Sequence, residues 1–340
     1  MRIGLAYDLK PAVLPAGGPD DAHEEFDSEA TIAALAGTLE QLGHIVTRLG
    51  DGRELLTKLL ETPVDLVFNF AEGTGTARSR EARVPAVCEM LGIPHTGSDP
   101  LALAVALEKD LTRRLAADAG VTVPVGIVLR PPPQPYDGDF AEFPAVLESA
   151  GLAVPVIAKP VFEGSSKGIR SRCLVERVED FGPTVAELWV GYGQPVLVEE
   201  FVAGEEVTVG LIGNDPPAVF GLMKVSPKTP AERFVYSLEV KRDFERLIDY
   251  ECPAKLAPGV SEEVIASALA VWDALGLRDV CRMDFRIRGG VPYFLEANPL
   301  PGLNPAGSDL VIMGGLLGVS YPEVVGMIVA AAATRYGLPH

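Results

Sequence analysis

The sequence is poor in the residues from which disulfide frameworks and zinc sites are built. Its 340 residues include four cysteines and four histidines, with no CxxC pair, no HxxxH pair and no Cys/His cluster. Zinc sites need closely spaced cysteine and histidine ligands, so we expect no zinc, and oxygen ligands for any metal ion. Scattered cysteines without a preceding signal peptide favour a reduced, cytoplasmic protein.

Positive charge and long hydrophobic runs are also scarce. The 29 Lys and Arg residues against 47 Asp and Glu residues give a net charge of −18, which disfavours a nucleic acid or an anionic membrane as the main partner. The apolar stretch 310–333 is interrupted by polar residues and a proline at 320–323, well short of the roughly 20 apolar residues that span a membrane. We predict two core helices joined by a turn there.

The chain does contain enough apolar sequence for two or three domains. Hydrophobic residues make up 48% of it, which excludes a disordered chain. Strand-like runs at 2–7 and 65–70 alternate with helical patterns at 28–42, capped by Ser28, and at 81–91. This alternation predicts an α/β first domain with a parallel sheet over residues 1–97.

The remainder of the chain changes pattern. Residues 98–192 predict helices at 102–119 and 178–190, strands at 121–129 and 154–159, and an exposed proline-rich loop at 130–139. Residues 193–340 predict a helix at 261–275 and strands at 196–201, 206–212, 218–225, 280–287 and 291–296. Successive strands joined by turns favour an antiparallel or mixed sheet. We therefore place a second domain at 98–192 and a third at 193–340.

A glycine-rich loop follows the strand that ends at Lys159. The sequence VIAKPVFEGSSKGI offers a lysine, then Gly164, Ser165, Ser166 and Gly168. A cation beside flexible backbone N–H groups is an arrangement that holds phosphate. The chain has no Walker A sequence, and GTGTAR at 73–78 lacks the third glycine of a dinucleotide fingerprint. A surface hairpin turn is the alternative interpretation.

Three oxygen ligands stand at the ends of two C-terminal strands. RMDFRI contains Asp284, and YFLEANPLPGLNP contains Glu296 and Asn298, which lie two residues apart and so share one strand face. Mg²⁺ prefers one or two carboxylates together with phosphate oxygens, so the trio predicts a metal–nucleotide site. The alternative is a solvated carboxylate, but an unpaired carboxylate is costly in so apolar a run as YFLEAN.

Seven motifs in order along the chain carry a family resemblance. They are EKDLTRRL with Lys109, AKPVFEGSSKGI with Lys159, VLVEEFVAGEEVTV, YSLEVKR, YECPA, RMDF and FLEANPLPGLNP. Through them the chain resembles the ATP-grasp carboxylate–amine ligases, and most closely the D-alanine–D-alanine ligase group. The resemblance covers nearly the whole chain. It implies an α/β pre-ATP-grasp domain with a parallel sheet, followed by an α+β ATP-grasp fold of two subdomains.

The resemblance implies that ATP lies between these two subdomains. Lys109 and Lys159 would contact the α- and β-phosphates, and the glycine loop would close over them. The hinge residues Glu199 and Val202 would meet the adenine, and Glu206 would bind the ribose. The full set implied for ATP is Lys109, Lys159, Glu163, Gly164, Ser166, Glu199, Val202 and Glu206. Of the four hinge glutamates at 199, 200, 205 and 206, we expect two to be merely solvated.

The resemblance also implies a mechanism. The γ-phosphoryl group of ATP passes to a substrate carboxylate, and an amine then attacks the acyl phosphate with loss of phosphate. Lys241 would reach the γ-phosphate, while Arg282 and the Gly302 backbone N–H would stabilise the tetrahedral intermediate. Two Mg²⁺ ions, or Mn²⁺, would bridge the phosphates from Asp284, Glu296 and Asn298. The alternative for Lys241 and Arg282 is an ordinary surface cation.

The match is weaker for the amino-acid substrates. The family holds the first amino acid with a glutamate, a loop serine and a tyrosine; Glu24 and Ser165 match the first two, and Arg242 stands at the tyrosine position. A fixed cation there would suit a different or additionally acidic first substrate. Ser308 and Leu310 stand where the family holds the carboxylate of the second amino acid.

The family's HG-containing segment is replaced here by FNFAEGTGTARSREARVP. Its three arginines, at 78, 80 and 83, either bind an anionic substrate group or face water.

Together these observations predict an ATP- and Mg²⁺-dependent ligase that joins a carboxylate to an amine, with D-alanine–D-alanine ligation as the default. One alternative keeps the chemistry and changes the substrates, to another amino-acid or peptide ligase of a biosynthetic pathway. Another is a nucleotide-binding regulatory protein without turnover, against which the full phosphoryl-transfer set argues. We expect small amino-acid-like partners, and the resemblance suggests a homodimer.

Overall fold

The N-terminal part of the chain forms a parallel sheet with helices on its faces. This structure is a computed structural model that describes residues 1–11, 18–133 and 140–339. Strands β1 (Arg2–Tyr7), β2 (Ile45–Gly50) and β3 (Leu66–Phe70) lie in the order β2-β1-β3, and both pairings are parallel. The α/β prediction for this region is confirmed. The sequence did not predict β2 or the helix that follows it.

Three helices accompany this first sheet. They are α1 (Glu29–Gln41), α2 (Gly52–Glu61) and α3 (Arg83–Leu91). The predicted cap is present, since the Ser28 hydroxyl accepts a hydrogen bond from the Thr31 amide at 3.1 Å. Ile3 and Leu5 of the central strand are completely buried, as expected for a parallel sheet covered on both faces.

The next segment begins with two helices where one was predicted. The helix expected at 102–119 is divided into α4 (Pro100–Leu107) and α5 (Lys109–Asp118). Glu108 between them is extended at ψ 94°, and its carboxylate accepts the Leu111 amide at 2.7 Å. Glu108 thereby caps a new helix, and Lys109 becomes its first residue instead of an interior one.

A four-stranded antiparallel sheet follows. It consists of β4 (Gly126–Leu129), β5 (Val156–Pro160), β6 (Leu174–Val175) and β7 (Val196–Glu200), in the order β4-β7-β5-β6. Helices α6 (Phe143–Ser149) and α7 (Val178–Tyr192) pack against it. Strand β7 lies beyond the predicted boundary at residue 193, yet it pairs with β4 and β5. The proline-rich loop prediction falls partly on 134–139, outside the described residues.

The third sheet is five-stranded and antiparallel. Its order is β10-β9-β8-β11-β12, with β8 (Glu205–Gly213), β9 (Ala218–Pro227), β10 (Ile248–Glu251), β11 (Asp279–Arg288) and β12 (Val291–Asn298). The long helix α10 (Val260–Leu275) buries its apolar side in the same core as β8, β11 and β12. Two short helices, α8 (Leu238–Arg242) and α9 (Phe244–Leu247), precede β10.

Two C-terminal helices connect the third sheet to the first. They are α11 (Asp309–Leu316) and α12 (Tyr321–Tyr336), as predicted from the interrupted apolar stretch. Val324 and Ile328 of α12 share a core with Ile3 and Leu35 of the N-terminal part. Among the described residues no single helix has the length and apolarity to cross a membrane; α11 and α12 meet that test only as a pair, bent by 113°.

One buried carboxylate fixes this arrangement where β11 begins. Asp279 is fully buried and accepts hydrogen bonds from the Gly97 amide at 2.8 Å, Asn214 Nδ2 at 2.8 Å and Arg335 Nη2 at 2.7 Å. Arg335 also donates to the His95 carbonyl at 3.0 Å. The carboxylate therefore joins the first sheet's last loop, the β8–β9 turn and α12.

Removing this carboxylate should weaken the whole structure. Asp279→Ala leaves the largely buried Arg335 guanidinium without its anion, and we expect the free energy of unfolding to fall by about 3 kcal/mol. Chemical denaturation measures it. The control Asp273→Ala changes an exposed residue of α10 and should alter stability by less than about 0.5 kcal/mol. Equal denaturation midpoints for the two variants would contradict this account.

Candidate active site

The three sheets surround a central cavity and a narrower cleft that meet at the same residues. The central cavity has a volume of about 430 Å³ and the cleft about 90 Å³. The cleft lies between the second and third sheets, and the cavity extends from it to the first sheet's carboxyl edge. Lys241 and Glu296 line both spaces. A ligand spanning the two would place its reacting part beside this lysine and glutamate.

The cleft combines apolar walls with polar groups at its base. Lys159 Nζ lies 2.6 Å from Glu199 Oε2, and both side chains are buried. The second oxygen of Glu199, Oε1, is buried without a hydrogen-bond partner. Ile157, Val202 and Leu295 also line the cleft. A flat group with an N–H donor would fit this arrangement, because it would satisfy the unpaired oxygen.

Glu206 stands at the far end of the cleft. Its carboxylate accepts a hydrogen bond from Arg286 Nη2 at 2.6 Å. Burial raises the pKa of Glu206 above its usual value, and the Arg286 guanidinium opposes this shift. Arg286 also donates to the Val202 carbonyl at 3.0 Å, so one arginine positions two of the predicted hinge residues.

The glycine loop presents its backbone to the junction of cleft and cavity. Ser165 and Ser166 both have left-handed φ angles, of 48° and 59°, and the Lys167 amide donates to the Gly164 carbonyl at 2.9 Å, so residues 164–167 form a tight turn. Ser165 lines the cavity and Ser166 the cleft. Gly168 has φ 73°, and a Cβ there would lie 2.3 Å from Pro160 Cγ, so glycine is required.

A buried ion network holds this loop against the N-terminal part of the chain. Arg80 Nη2 lies 2.6 Å from Glu25 Oε1 and 3.4 Å from Glu163 Oε2. Lys167 Nζ completes the network at 3.1 Å from Glu25 and 2.6 Å from Glu163. The side chains of the four residues are at most 8% exposed. Two cations thus balance two carboxylates out of contact with water.

The same network contacts the loop backbone. Arg80 Nη1 donates to the Phe162 carbonyl at 2.6 Å, and the Gly164 amide donates to Glu25 Oε1 at 2.6 Å. Asp21 accepts the Gly168 amide at 2.9 Å. The two sequence-based alternatives for Arg80, a substrate anion or water, are therefore both wrong, because protein groups surround this guanidinium. Arg78 and Arg83 are exposed.

The three predicted oxygen ligands come together across β11 and β12. Asp284 is paired with Glu296 in the strand register, and Asn298 Nδ2 lies 3.2 Å from Asp284 Oδ2. Thr208 donates its hydroxyl to Asp284 at 2.8 Å. Among the described residues no group of three or more His, Cys, Asp or Glu side chains could hold a metal by itself. A metal ion here would need further oxygens from a ligand, as Mg²⁺ takes from phosphates.

Cations surround these carboxylates. Lys109 Nζ lies 3.2 Å from Glu296 Oε2 and also donates to the Glu163 carbonyl. Burial alone would raise the pKa of Glu296, but Lys109, Lys159, Lys241 and Arg282 outweigh it and hold this pKa below its usual range. Glu296 is therefore ionised. Lys241 lies over the Tyr236 ring at 5.0 Å, at the junction of cavity and cleft.

Arg282, two residues before Asp284 on β11, lies between two carboxylates. It contacts Asp284 at 2.9 Å and Asp309 at 3.1 Å, and it lines the central cavity. Neighbouring Gly302 approaches Ser308 so closely that a Cβ would lie 2.8 Å from the serine Oγ. Ser308 lines the cavity, but Leu310 is completely buried in the core and its side chain does not line it. The assignment of Leu310 to the carboxylate of the second amino acid stays a prediction, and the buried side chain leaves only its backbone for such a contact.

The first-substrate candidates also meet. Glu24, Ser165 and Arg242 line the same side of the central cavity, and Arg242 Nη2 lies 2.7 Å from Glu24 Oε2. Asp20 lies 3.2 Å from the other end of the guanidinium. Two carboxylates of the chain thus pair with Arg242, and its role toward an acidic substrate stays a prediction.

Sequence reasoning missed several residues of the site. Glu25 adjoins the predicted Glu24, and Lys167 lies inside the recognised glycine loop, but neither carries a local signal of burial. Glu72 and Glu81 line the cavity from the segment that departs from the family pattern. The departure from the family pattern was the available signal for these two residues. Only the arginines of the segment were considered as candidates for binding.

Comparison with known proteins agrees with this geometry. The family described as D-ala D-ala ligase C-terminus matches residues 118–330. A D-alanine–D-alanine ligase of Desulforudis audaxviator is 33% identical over 89% of this chain and 92% of its own. One of Gluconobacter oxydans is 31% identical over 96% of this chain and its full length.

Solved structures show the same fold. A D-alanine–D-alanine ligase of Bacillus anthracis, complexed with ATP, superimposes with a TM-score of 0.72 at 20% identity, covering 99% of both chains. A D-Ala:D-Ser ligase of Enterococcus faecalis gives 0.69 at 20% identity, covering 98% of this chain and all of that one. The architecture of a parallel first sheet followed by two antiparallel sheets is that of an ATP-grasp protein. The chain belongs to the D-alanine–D-alanine ligase family.

Proposed function

We propose that this protein is an ATP- and Mg²⁺-dependent ligase that activates a carboxylate and joins it to an amine, with D-alanine–D-alanine ligation as the default reaction. The observation that carries this proposal is the position of Glu296 and Lys241, which line both the cleft and the central cavity. A phosphoryl donor in the cleft and an acceptor in the cavity would therefore meet at these two side chains. The curated relatives named above carry the same activity in their names.

ATP occupies the cleft in this proposal. The unpaired Glu199 Oε1 accepts a hydrogen bond from the adenine. Val202 packs against the adenine, and Glu206 binds the ribose. Lys109, Lys159 and the turn at Ser165 and Ser166 surround the phosphates. The network that anchors Glu163 and Gly164 keeps this turn in place. The alternative of a pure nucleotide-binding regulator has no support in the arrangement, because binding alone needs no second cavity beside the phosphates.

The residues present fit a hard metal ion. Asp284, Glu296 and Asn298 supply two carboxylates and an amide from adjacent strands, which is a donor set for Mg²⁺ or Mn²⁺ completed by phosphate oxygens. We propose two such ions. Bound Mg²⁺ supplies neutralising charge to the transferring phosphoryl group. Lys109 forms an ion pair with Glu296 and Arg282 with Asp284, and these contacts hold the two carboxylates in place.

The chain's own residues account for the remaining steps. Lys241 orients the γ-phosphate, and its positive charge lowers the electrostatic repulsion between this phosphate and the substrate carboxylate. Glu24 and Ser165 orient the first substrate, with Arg242 holding Glu24. Arg282 and the Gly302 N–H stabilise the oxyanion that forms when the amine attacks. Ser308 holds the carboxylate of the second amino acid.

The proposal includes the organisation of the protein. We place the N-terminal domain at 1–97, the first ATP-grasp subdomain at 98–192 with β7 added to its sheet, and the second in the remainder of 193–340. We propose small amino-acid-like substrates, which the names of the relatives support, together with a cytoplasmic location and a homodimer.

The direct test is ADP release with D-alanine. We expect D-alanine to stimulate Mg²⁺-dependent ADP release from ATP, with a dipeptide as the second product, because the cavity holds the acceptor beside the γ-phosphate. A coupled ADP assay and mass spectrometry measure both. If ATP binds but no amino acid stimulates ADP release, the ligase proposal fails.

Glu296→Ala should remove the metal-dependent turnover. Loss of a carboxylate that holds the neutralising metal ion should lower kcat by about 10²–10³-fold, measured at saturating ATP and Mg²⁺. Glu262→Ala, which changes an exposed residue of α10, is the control and should keep full activity. Wild-type turnover in Glu296→Ala would refute the metal assignment.

Arg80→Lys tests the network behind the glycine loop. Lysine keeps the charge but cannot contact Glu25, Glu163 and the Phe162 carbonyl together. We expect KM for ATP to rise about tenfold, since a net loss of about 1.4 kcal/mol corresponds to that factor. Arg78→Lys, at an exposed arginine two residues away, should leave KM unchanged. The same KM in both variants would mean that the network does not position the loop.

A further inference from the structure

One buried carboxylate of the central cavity is not used in the chemistry above. Asp309 is the first residue of α11, and its side chain is 9% exposed. It lines the central cavity directly after Ser308 in the chain. The first turn of a helix favours a carboxylate in its ionised form, and an ionised carboxylate is an acceptor of protons.

Asp309 contacts the side chain to which the oxyanion is assigned. Arg282 pairs with Asp284 at 2.9 Å and with Asp309 at 3.1 Å. Asp284 lines the cleft, whereas Arg282 and Asp309 line the central cavity. Of these two carboxylates, Asp309 is therefore the one that faces the space for the amino-acid substrates.

Two tyrosines hold the other oxygen of Asp309. The Tyr236 hydroxyl donates to Asp309 Oδ1 at 3.3 Å and lies 2.6 Å from the Tyr250 hydroxyl. Burial, followed by the charge of Asp309, raises the pKa of Tyr236 above its usual value, and burial raises the pKa of Tyr250 to about 12. Both hydroxyls keep their protons at neutral pH, so the carboxylate is the proton acceptor of this group.

Asp309 has room for a further donor. Arg282 contacts its Oδ2, and Tyr236 contacts its Oδ1. In the part of the chain that is described, these contacts fill two of the roughly four lone-pair positions of a carboxylate. A donor on a ligand in the cavity can take another.

The proposed reaction needs an acceptor at this place. An amine that attacks an acyl phosphate becomes positively charged and must lose a proton before the amide is formed. In the proposed function Ser308 holds the carboxylate of the second amino acid, and a single carbon atom separates that carboxylate from the amine. Arg282 holds the oxyanion on the same carbon that the amine attacks. The amine nitrogen therefore lies between Ser308 and Arg282, beside Asp309.

We propose that Asp309 is the general base that takes the proton from the attacking amine of the second amino acid. This inference rests on the proposed ligase function and adds a catalytic residue to it.

The step balances without a further reactant. The amino acid loses one ammonium proton to water and attacks as the neutral amine. Its nitrogen lone pair forms the C–N bond, and the N–H bond that then breaks gives its proton to Asp309. The bond between the carbonyl carbon and the phosphate oxygen breaks next, and phosphate leaves with the bonding electrons. Asp309 returns its proton to water before the next turnover.

A purely structural role for Asp309 would act through Arg282. A carboxylate that only held Arg282 in place would affect every reaction that forms the oxyanion, whatever the nucleophile. A general base affects a nucleophile according to how strongly that nucleophile holds its proton. The choice of nucleophile therefore separates the two roles.

The test compares D-alanine with hydroxylamine as the nucleophile. The full chain is supplied with ATP, Mg²⁺ and D-alanine, with or without hydroxylamine, and mass spectrometry measures the dipeptide and D-alanine hydroxamate. Hydroxylamine is a much weaker base than the amine of an amino acid, so its adduct loses a proton to water without a protein base. Since a general base contributes about 10²–10⁴-fold, Asp309→Asn should slow dipeptide formation about 100-fold and leave hydroxamate formation within about twofold of wild type.

Two further variants support the comparison. Asp309→Glu keeps the charge beside Arg282 but displaces the acceptor oxygen, and it should lower the ratio of dipeptide to hydroxamate about tenfold. Asp118→Asn makes the same chemical change at an exposed residue of α5 and should leave both rates unchanged. If Asp309→Asn does not fold, Asp309→Glu decides.

The outcomes separate this inference from the function on which it rests. An equal loss of dipeptide and hydroxamate would show that Asp309 only holds Arg282, and unchanged rates would show no role; either result overturns the inference and leaves the ligase function intact. Wild-type protein that binds ATP but forms neither product would overturn the proposed function itself.

Discussion

The site depends on one buried network of ion pairs. It joins the cations Arg80 and Lys167 to the carboxylates of Glu25 and Glu163. Charges out of water are stable only when paired, and losing one partner leaves the others uncompensated. Because two of these residues come from the N-terminal part and two from the glycine loop, their pairing fixes the loop against the first sheet. The glycine loop and the cavity wall are thereby held as one unit.

The distribution of charged residues also explains how a strongly acidic chain can bind anions. Its net charge is −18, yet Lys109, Lys159, Lys241 and Arg282 converge on Glu296 and keep it ionised. The local surplus of cations suits phosphates at the junction of cleft and cavity.

Much of this was accessible from the sequence, and the limits have physical causes. Regular periodicity predicted β1, β3, α10 and both C-terminal helices. The ordered motifs supplied candidates that line the cleft, among them Lys159, Glu199 and Lys241. The break between α4 and α5 at Glu108 was missed because the helical sequence pattern continues through this residue. Only the capping hydrogen bond of Glu108 separates the two helices. Arg80 was misjudged because its partners, Glu25 and Glu163, lie far away in the chain. Pairing between distant charges is a property of the fold, so sequence spacing could not reveal it.

The central claim is that a substrate carboxylate in the cavity takes the phosphoryl group from ATP in the cleft. The most direct measurement uses D-alanine labelled with ¹⁸O in its carboxylate and follows the isotope in the released phosphate. An acyl phosphate intermediate predicts one labelled oxygen in each phosphate formed during ligation. Unlabelled phosphate, with ADP release undiminished, would show that water and not the carboxylate accepts the phosphoryl group, and would contradict this account.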